Sequence, residues 1–161
     1  MRTAVVLVSS TRAAGGVYPD RTGPHMVKWL QDRDFRVPDP VVVADGDPFA
    51  AALAQALDAR PALIITTGGT GISPTDVTAT LTARALDYLI PGIAEEIRRT
   101  GAVHVPTALL SRGVAGVAGR TLVLNLPGSI GGVRDGLTVL DTVLDHALDQ
   151  LAGEDHLQAE A

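Results

Sequence analysis

The run Thr66-Thr67-Gly68-Gly69-Thr70-Gly71-Ile72-Ser73-Pro74-Thr75-Asp76-Val77-Thr78 concentrates residue types that hold phosphate. Glycines without a Cβ reach left-handed conformations and let main-chain N–H groups approach an anion. Thr and Ser hydroxyls add donors, and a helix opening near Thr78 would add its positive end. Gly68, Gly69, Thr70, Gly71, Ser73 and Thr78 are therefore the candidate nucleotide- and phosphate-binding residues. No Gly-Lys-Ser/Thr follows, so this is not a Walker A loop, and the GxGxxG spacing of a dinucleotide fold is absent. The same residues also read as an ordinary glycine turn capped by Asp76 or Thr78.

Two carboxylates accompany the run. Asp47 precedes Pro48 and reads as a helix N-cap, and Asp76 has a similar reading available. Asp45 differs: it ends a strand, precedes Gly46 and lies too early to be that cap, so it is expected to project beside Gly68–Gly71. Two carboxylates facing one phosphate cradle would repel the ligand unless a divalent cation sat between them. Mg²⁺ meets that need, because it is commonly held by one or two carboxylates together with substrate phosphates. Ser9, Ser10 and Ser111 have no evident His/Asp partner, which argues against nucleophilic catalysis. His25, His104, His146 and His156 are scattered without metal-ligand spacing.

These residues need a frame to bring them together. Short apolar, β-branched-rich runs at 4–8, 36–44, 62–66 and 121–126 are predicted strands. Helical patterns are predicted over 23–33, 48–59, 78–89, 93–99 and 131–151, with Pro91-Gly92 separating the third from the fourth. Residues 104–119 are interrupted by Pro106, Gly113, Gly116 and Gly119 and are expected to form a small hairpin or strand pair. Alternating strands and helices imply right-handed crossovers. The expected fold class is α/β, a three-layer, mostly parallel twisted sheet with helices on both faces. In such a sheet ligands bind beyond the carboxyl ends of the strands. The polar segments 9–12, 45–47, 67–71 and 127–129 all follow strands and so fall on that one edge. Residues 12–23 have the composition of a loop that could close over a substrate, or of an ordinary surface loop.

Composition agrees with this class and narrows the partners. At 161 residues one domain is expected, spanning 1–153, with a frayed tail over 154–161. Hydrophobic residues make up 46% but aromatics only 3%, so the core must be filled by aliphatic side chains, as in a buried parallel sheet. A net charge of -5 without a Lys/Arg run leaves no source for the counterion release that drives nucleic-acid binding. The absence of cysteine excludes disulfides and thiolate metal sites and is compatible with a reducing compartment. The N-terminal apolar run is too short for a signal peptide or membrane span, so a cytoplasmic protein with no membrane partner is expected.

Taken together, Thr67-Gly68-Gly69-Thr70-Gly71, Asp76-Val77-Thr78, Pro91-Gly92, residues 106–112 (PTALLSR) and Asn125-Leu126-Pro127-Gly128-Ser129 resemble the MogA/MoaB family, also found as a domain of gephyrin and its plant counterpart. The likeness runs from Ala4 to about Leu151 and includes residues 19–24 (PDRTGP). It implies a homotrimer that adenylates molybdopterin, using ATP and Mg²⁺ and releasing pyrophosphate, with a molybdenum-inserting MoeA-type protein as a further partner. By position, Asp45 and Asp76 match the family's two essential aspartates, the catalytic and Mg²⁺-binding pair. Gly68–Gly71 match its phosphate loop, while Ser10, Ser111, Arg112, Pro127, Gly128 and Ser129 match the pterin side. One departure is plain: Thr80 stands where many members carry Glu. A protein that binds or carries molybdopterin without catalysis is the alternative, needing the Pro127–Ser129 side but neither aspartate.

Overall fold

A computed structural model describes residues 1–154. Six strands form one sheet in the order β2-β1-β3-β6-β5-β4. Of these, β1 (Ala4–Ser9), β2 (Val41–Val43), β3 (Leu63–Thr67) and β6 (Thr121–Leu126) run parallel. The remaining two, β4 (Tyr88–Leu89) and β5 (Ala115–Ala118), extend the sheet beyond β6 with antiparallel pairings.

The helices are α1 (Thr11–Ala14), α2 (Thr22–Gln31), α3 (Asp47–Asp58), α4 (Thr78–Ala85), α5 (Pro91–Ala102), α6 (Ile130–Asp141) and α7 (Leu144–Ala152), with a 3-10 turn at Pro106–Leu110. Side chains alternate across the strands, so each sheet face collects its own core. On one face Val6, Val8, Ile65, Leu122, Leu124 and Leu126 pack with Met26 and Leu30 of α2, Ile97 of α5, Leu137 and Leu140 of α6 and Leu148 of α7. On the other, Leu7, Ile64 and Val123 meet Phe49, Leu53 and Ala56 of α3, with Leu81 and Ala85 of α4 alongside. The three-layer α/β arrangement is therefore as expected.

Several boundaries differ from the sequence reading, each for a local reason. The strand expected over 36–44 shrinks to Val41–Val43, because Pro38 and Pro40 lack N–H donors; Arg36 keeps only an isolated bridge to Thr3. Gly46, at φ 96°, is the N-cap of α3, and Asp47 is its first residue without a side-chain cap bond. Residues 78–89 are not one helix: α4 stops at Ala85, and 88–89 turn into an edge strand on β5. Pro91 and Gly92 do not separate helices but open α5, where a missing N–H costs nothing. The expected helix over 131–151 breaks at Thr142-Val143; Thr142 Oγ1 donates to Val139 O at 2.7 Å, and both residues' N–H groups turn back three positions. Residues 12–23 are not all loop: they take in the last three residues of the short α1 and the start of α2. The hairpin expected within 104–119 is instead β5 with β6, joined across Gly119-Arg120. Of the tail, Glu154 bonds back to Asp149 O, and 155–161 lie outside the described residues.

Candidate functional site at the carboxyl edge of the sheet

The loop leaving β3 is fixed by the ends of its two neighbouring strands. Gly68 N–H donates to Leu126 O at 3.1 Å, and Thr67 Oγ1 donates to Pro127 O at 2.6 Å. Gly68 adopts φ 89°, and a Cβ there would lie 2.1 Å from Ser9 O, so only glycine fits. Gly69 follows at φ 63°, with its α-carbon pressed against Thr78 Oγ1 and Asp45 Oδ2, 2.2 and 2.4 Å from where a Cβ would stand. A methyl group added at Gly71 would first meet Asp76 Oδ2, at 2.7 Å. One glycine loop thus lies against both candidate carboxylates, which come from different segments.

Asp45 Oδ1 accepts the Gly46 N–H at 2.7 Å and its Oδ2 accepts the Val77 N–H at 3.2 Å. It therefore caps α4 from across the cleft, since Val77, the N-cap of that helix, makes no side-chain cap bond of its own. Asp76 is half-buried, and its carboxylate makes no hydrogen bond among the described residues; its main-chain carbonyl accepts from Arg112 Nη1 at 3.4 Å. Thr78, fully buried, lies beneath the loop with its hydroxyl 2.6 Å from Ser9 Oγ, so it supports the glycines rather than facing solvent. Ser73 is exposed and pairs with Thr75 in the turn before Asp76.

Two cavities flank the loop. The first, of about 510 Å³, lies beside β1 and is lined by Ser9, Ser10, Tyr18, Asp20, Thr67 and Gly68 among others. The second, of about 580 Å³, lies between the 3-10 turn, α5 and α6 and includes Thr70, Gly71, Arg98, Ser111, Pro127 and Ser129. Gly128 borders both. Asp45 and Asp76 line neither. The six residues grouped by sequence on one side are thus divided: Ser111, Pro127, Gly128 and Ser129 share the second cavity, whereas Ser10 belongs to the first. Arg112 borders a separate shallow groove, where its Nη2 donates to Thr80 Oγ1 at 2.6 Å. Two of the serines also serve as helix caps: Ser10 accepts Ala13 N–H and Ser129 accepts Gly132 N–H.

Three residues at the cavities carry little signal in the sequence. Asp20 Oδ1 accepts Thr22 N–H, Thr22 Oγ1–H and Gly23 N–H, each at 3.1 Å, while its buried Oδ2 has no partner among the described residues. Its place in the 19–24 segment (PDRTGP), just ahead of a helix start, was the available signal, although the sequence attaches no role to it. Tyr18 shares a hydrogen bond with Ser10 Oγ. Arg98 donates to Ser111 O at 3.3 Å and Gly113 O at 2.9 Å, holding the wall of the second cavity from α5; nothing in its local sequence marks it.

The donor set meets part of what Mg²⁺ requires. Among the described residues no group of three or more His, Cys, Asp or Glu could cage a metal. Asp76 with an uncommitted carboxylate, and Asp45 with lone pairs beyond its two N–H partners, fit the lesser demand of a cation that also takes phosphate oxygens and water.

The sequence pattern described as "Probable molybdopterin binding domain" matches residues 4–146. The chain is 32% identical over 152 residues to a molybdopterin adenylyltransferase of Helicobacter pylori, covering 92% of this chain and 86% of that protein. It is 36% identical to a molybdenum cofactor biosynthesis bifunctional protein of Synechococcus elongatus, covering 95% of this chain but only 48% of the relative, so it spans about half of that protein's length. Among solved structures, the molybdopterin biosynthesis Mog protein from Mycobacterium ulcerans superposes with a TM-score of 0.90 at 56% identity, covering 94% of this chain and 99% of that one. With this match in sequence and fold, the chain belongs to the molybdopterin-binding-domain family that includes MogA and MoaB.

Proposed function

We propose that this protein acts in molybdenum cofactor biosynthesis by transferring the adenylyl group of ATP to molybdopterin, giving adenylyl-molybdopterin and pyrophosphate. The observation that carries the reading is the contact of one glycine loop with the carboxylates of Asp45 and Asp76, between two cavities large enough for two reactants. The terminal phosphate of molybdopterin attacks the α-phosphorus; a new P–O bond forms as the bond to the pyrophosphate oxygen breaks. That nucleophile is already anionic, so no strong general base is required and catalysis rests on alignment and charge stabilisation.

Asp45 and Asp76 would hold Mg²⁺, which when bound offsets the charge of the phosphates. Main-chain N–H groups of Gly69, Thr70 and Gly71 face the phosphate chain, with Ser73 at the outer rim and Thr78 fixing the loop from below. The second cavity, with Ser111, Pro127, Gly128 and Ser129 on its wall, takes the pterin, and the first takes the nucleoside. Ser10 then serves the nucleoside side, and Arg112 steadies the 76–80 segment. A cytoplasmic homotrimer that passes its product to a MoeA-type protein completes the reading, on the strength of the family resemblance.

The test is pyrophosphate release from ATP by the wild-type protein with molybdopterin and Mg²⁺, which a mere carrier would not give. Asp45→Asn and Asp76→Asn should each lower kcat by at least about a hundredfold, with secondary structure and oligomeric state unchanged. Near-normal turnover in both variants would remove the carboxylates from the mechanism.

A further inference from the structure

The face of the sheet covered by α3 and α4 changes character along its strands. Leu7, Ile64 and Val123 are buried in its apolar cluster, but the next residues on that face, Ser9, Thr66 and Asn125, are polar and equally buried. Thr66 and Asn125 are register partners on β3 and β6. Helix α4 meets them with Thr78 and Thr82, both fully buried. Asn125 Nδ2 donates to Thr66 Oγ1 at 2.8 Å and to Thr82 Oγ1 at 3.0 Å, while its Oδ1 accepts the Val114 N–H at 3.1 Å. Thr82 Oγ1 in turn donates to Thr78 O at 2.8 Å, and Thr78 Oγ1 shares a hydrogen bond with Ser9 Oγ.

An apolar set would fill this space without the desolvation penalty of so many polar groups, and a network of this kind fixes geometry only when its members are satisfied. Its two ends say what it fixes. One is the first turn of α4, where Val77 reaches Asp45 and Thr78 lies against Gly69. The other is Val114, which follows the Ser111–Gly113 segment held by Arg98 at the second cavity. We propose that Asn125 is a positioning residue that sets the corner formed by Asp45, Gly69 and Asp76 at a fixed place relative to the Ser111 wall of the second cavity. The inference rests on the adenylyl-transfer reading: reactants bound in separate cavities must meet in line, and a misplacement of about 1 Å costs roughly a hundredfold in rate.

Thr82→Val removes the hydroxyl joining Asn125 to α4 while keeping a β-branched shape, and Thr82→Ser keeps the hydroxyl. Assayed about 20 °C below each variant's Tm, Thr82→Val is expected to lose about tenfold or more in kcat, with KM for ATP and for molybdopterin within about threefold of wild type. Thr82→Ser should recover most of the rate, and Asn125→Ala should show the same split as Thr82→Val. A folded Thr82→Val with kcat within about twofold of wild type overturns the proposal, as does a loss confined to KM. Failure of Thr82→Val to fold also overturns it, because the network would then hold the fold rather than align the site. The wild-type protein checks the reaction separately. If it releases no pyrophosphate, adenylyl transfer fails as the function, and amide exchange decides the placement instead. Faster exchange in Thr82→Val at Val114 together with residues 78–82 supports the link; a change confined to α4 sinks it.

Discussion

The two faces of the sheet are built on different terms. Under α2, α5, α6 and α7 the outer ends of β1 and β6 stay aliphatic, with Val8 and Leu126 buried at the rim, and Thr67 of β3 is the polar exception, its hydroxyl donating to Pro127 O. Under α3 and α4 the aliphatic set stops short, and Ser9, Thr66 and Asn125 take over. Helix α4 spans the change: Leu81 and Ala85 pack on the apolar cluster, whereas Thr78 and Thr82 are hydrogen-bonded. Apolar packing is tolerant of small shifts among shapes of similar volume, while a hydrogen bond weakens steeply with angle and distance. The first face holds the larger share of the buried apolar core, and the second gives up apolar contact for hydrogen bonds beside the glycine loop.

That division can be broken by experiment. Leu137, in α6 on the first face, is 1% exposed; Leu137→Ala should cost about 2–5 kcal/mol of stability yet leave kcat of the folded protein near wild type. Denaturant unfolding and a low-temperature assay check both halves, and a collapse of kcat would show the faces are not separable. Gly69→Ala acts at the second face. Its methyl would meet Thr78 Oγ1 and Asp45 Oδ2 from a backbone at φ 63°, so a smaller cost of about 1–3 kcal/mol is expected together with at least a tenfold or so loss of kcat. Equal loss of stability with full activity would free the loop from its proposed role.

The smallest effect concerns the outer surface of the first face. Arg33 Nε donates to Asp141 Oδ1 at 2.8 Å and its guanidinium lies 3.8 Å over the Trp29 ring. Chiefly through that hydrogen bond, and by charge attraction, Arg33 holds the Asp141 carboxyl below its ordinary range. The folded pKa is depressed, so the pair's contribution is present above the unfolded carboxylate pKa and is lost as pH falls through the folded one. Asp141→Asn should flatten that acid limb of a Tm-against-pH profile slightly and leave kcat alone. Both groups are partly in water, which keeps the effect small.

How much of this could be read in advance depended on distance along the chain. The strands at 4–8 and 121–126, the Ala/Leu helix after Pro48 and the glycine run announced themselves through neighbouring residues. Asp45 was legible as a strand-end carboxylate with no cap to serve nearby, although its bond to Val77 N–H, 32 positions away, was not. The same holds for Asn125, whose partners Thr66 and Thr82 lie 59 and 43 positions off. Within 36–44 the apolar pattern overstated the strand because Pro38 and Pro40 are invisible to a hydrophobicity count but not to a hydrogen-bond ladder. The break at Thr142-Val143 escaped for the opposite reason: Leu144 and Leu148 keep helical spacing across it, and only the threonine's bond to its own preceding turn marks the stop.

The borders of the sheet carry one more consequence. β2 offers three residues and β4 only two, although Val41, Tyr88 and Leu89 are all exposed there. A stray strand from another molecule would find too few rungs to zip onto at either margin, so apolar side chains can sit at the rim of this sheet without inviting the runaway stacking that longer open edges promote.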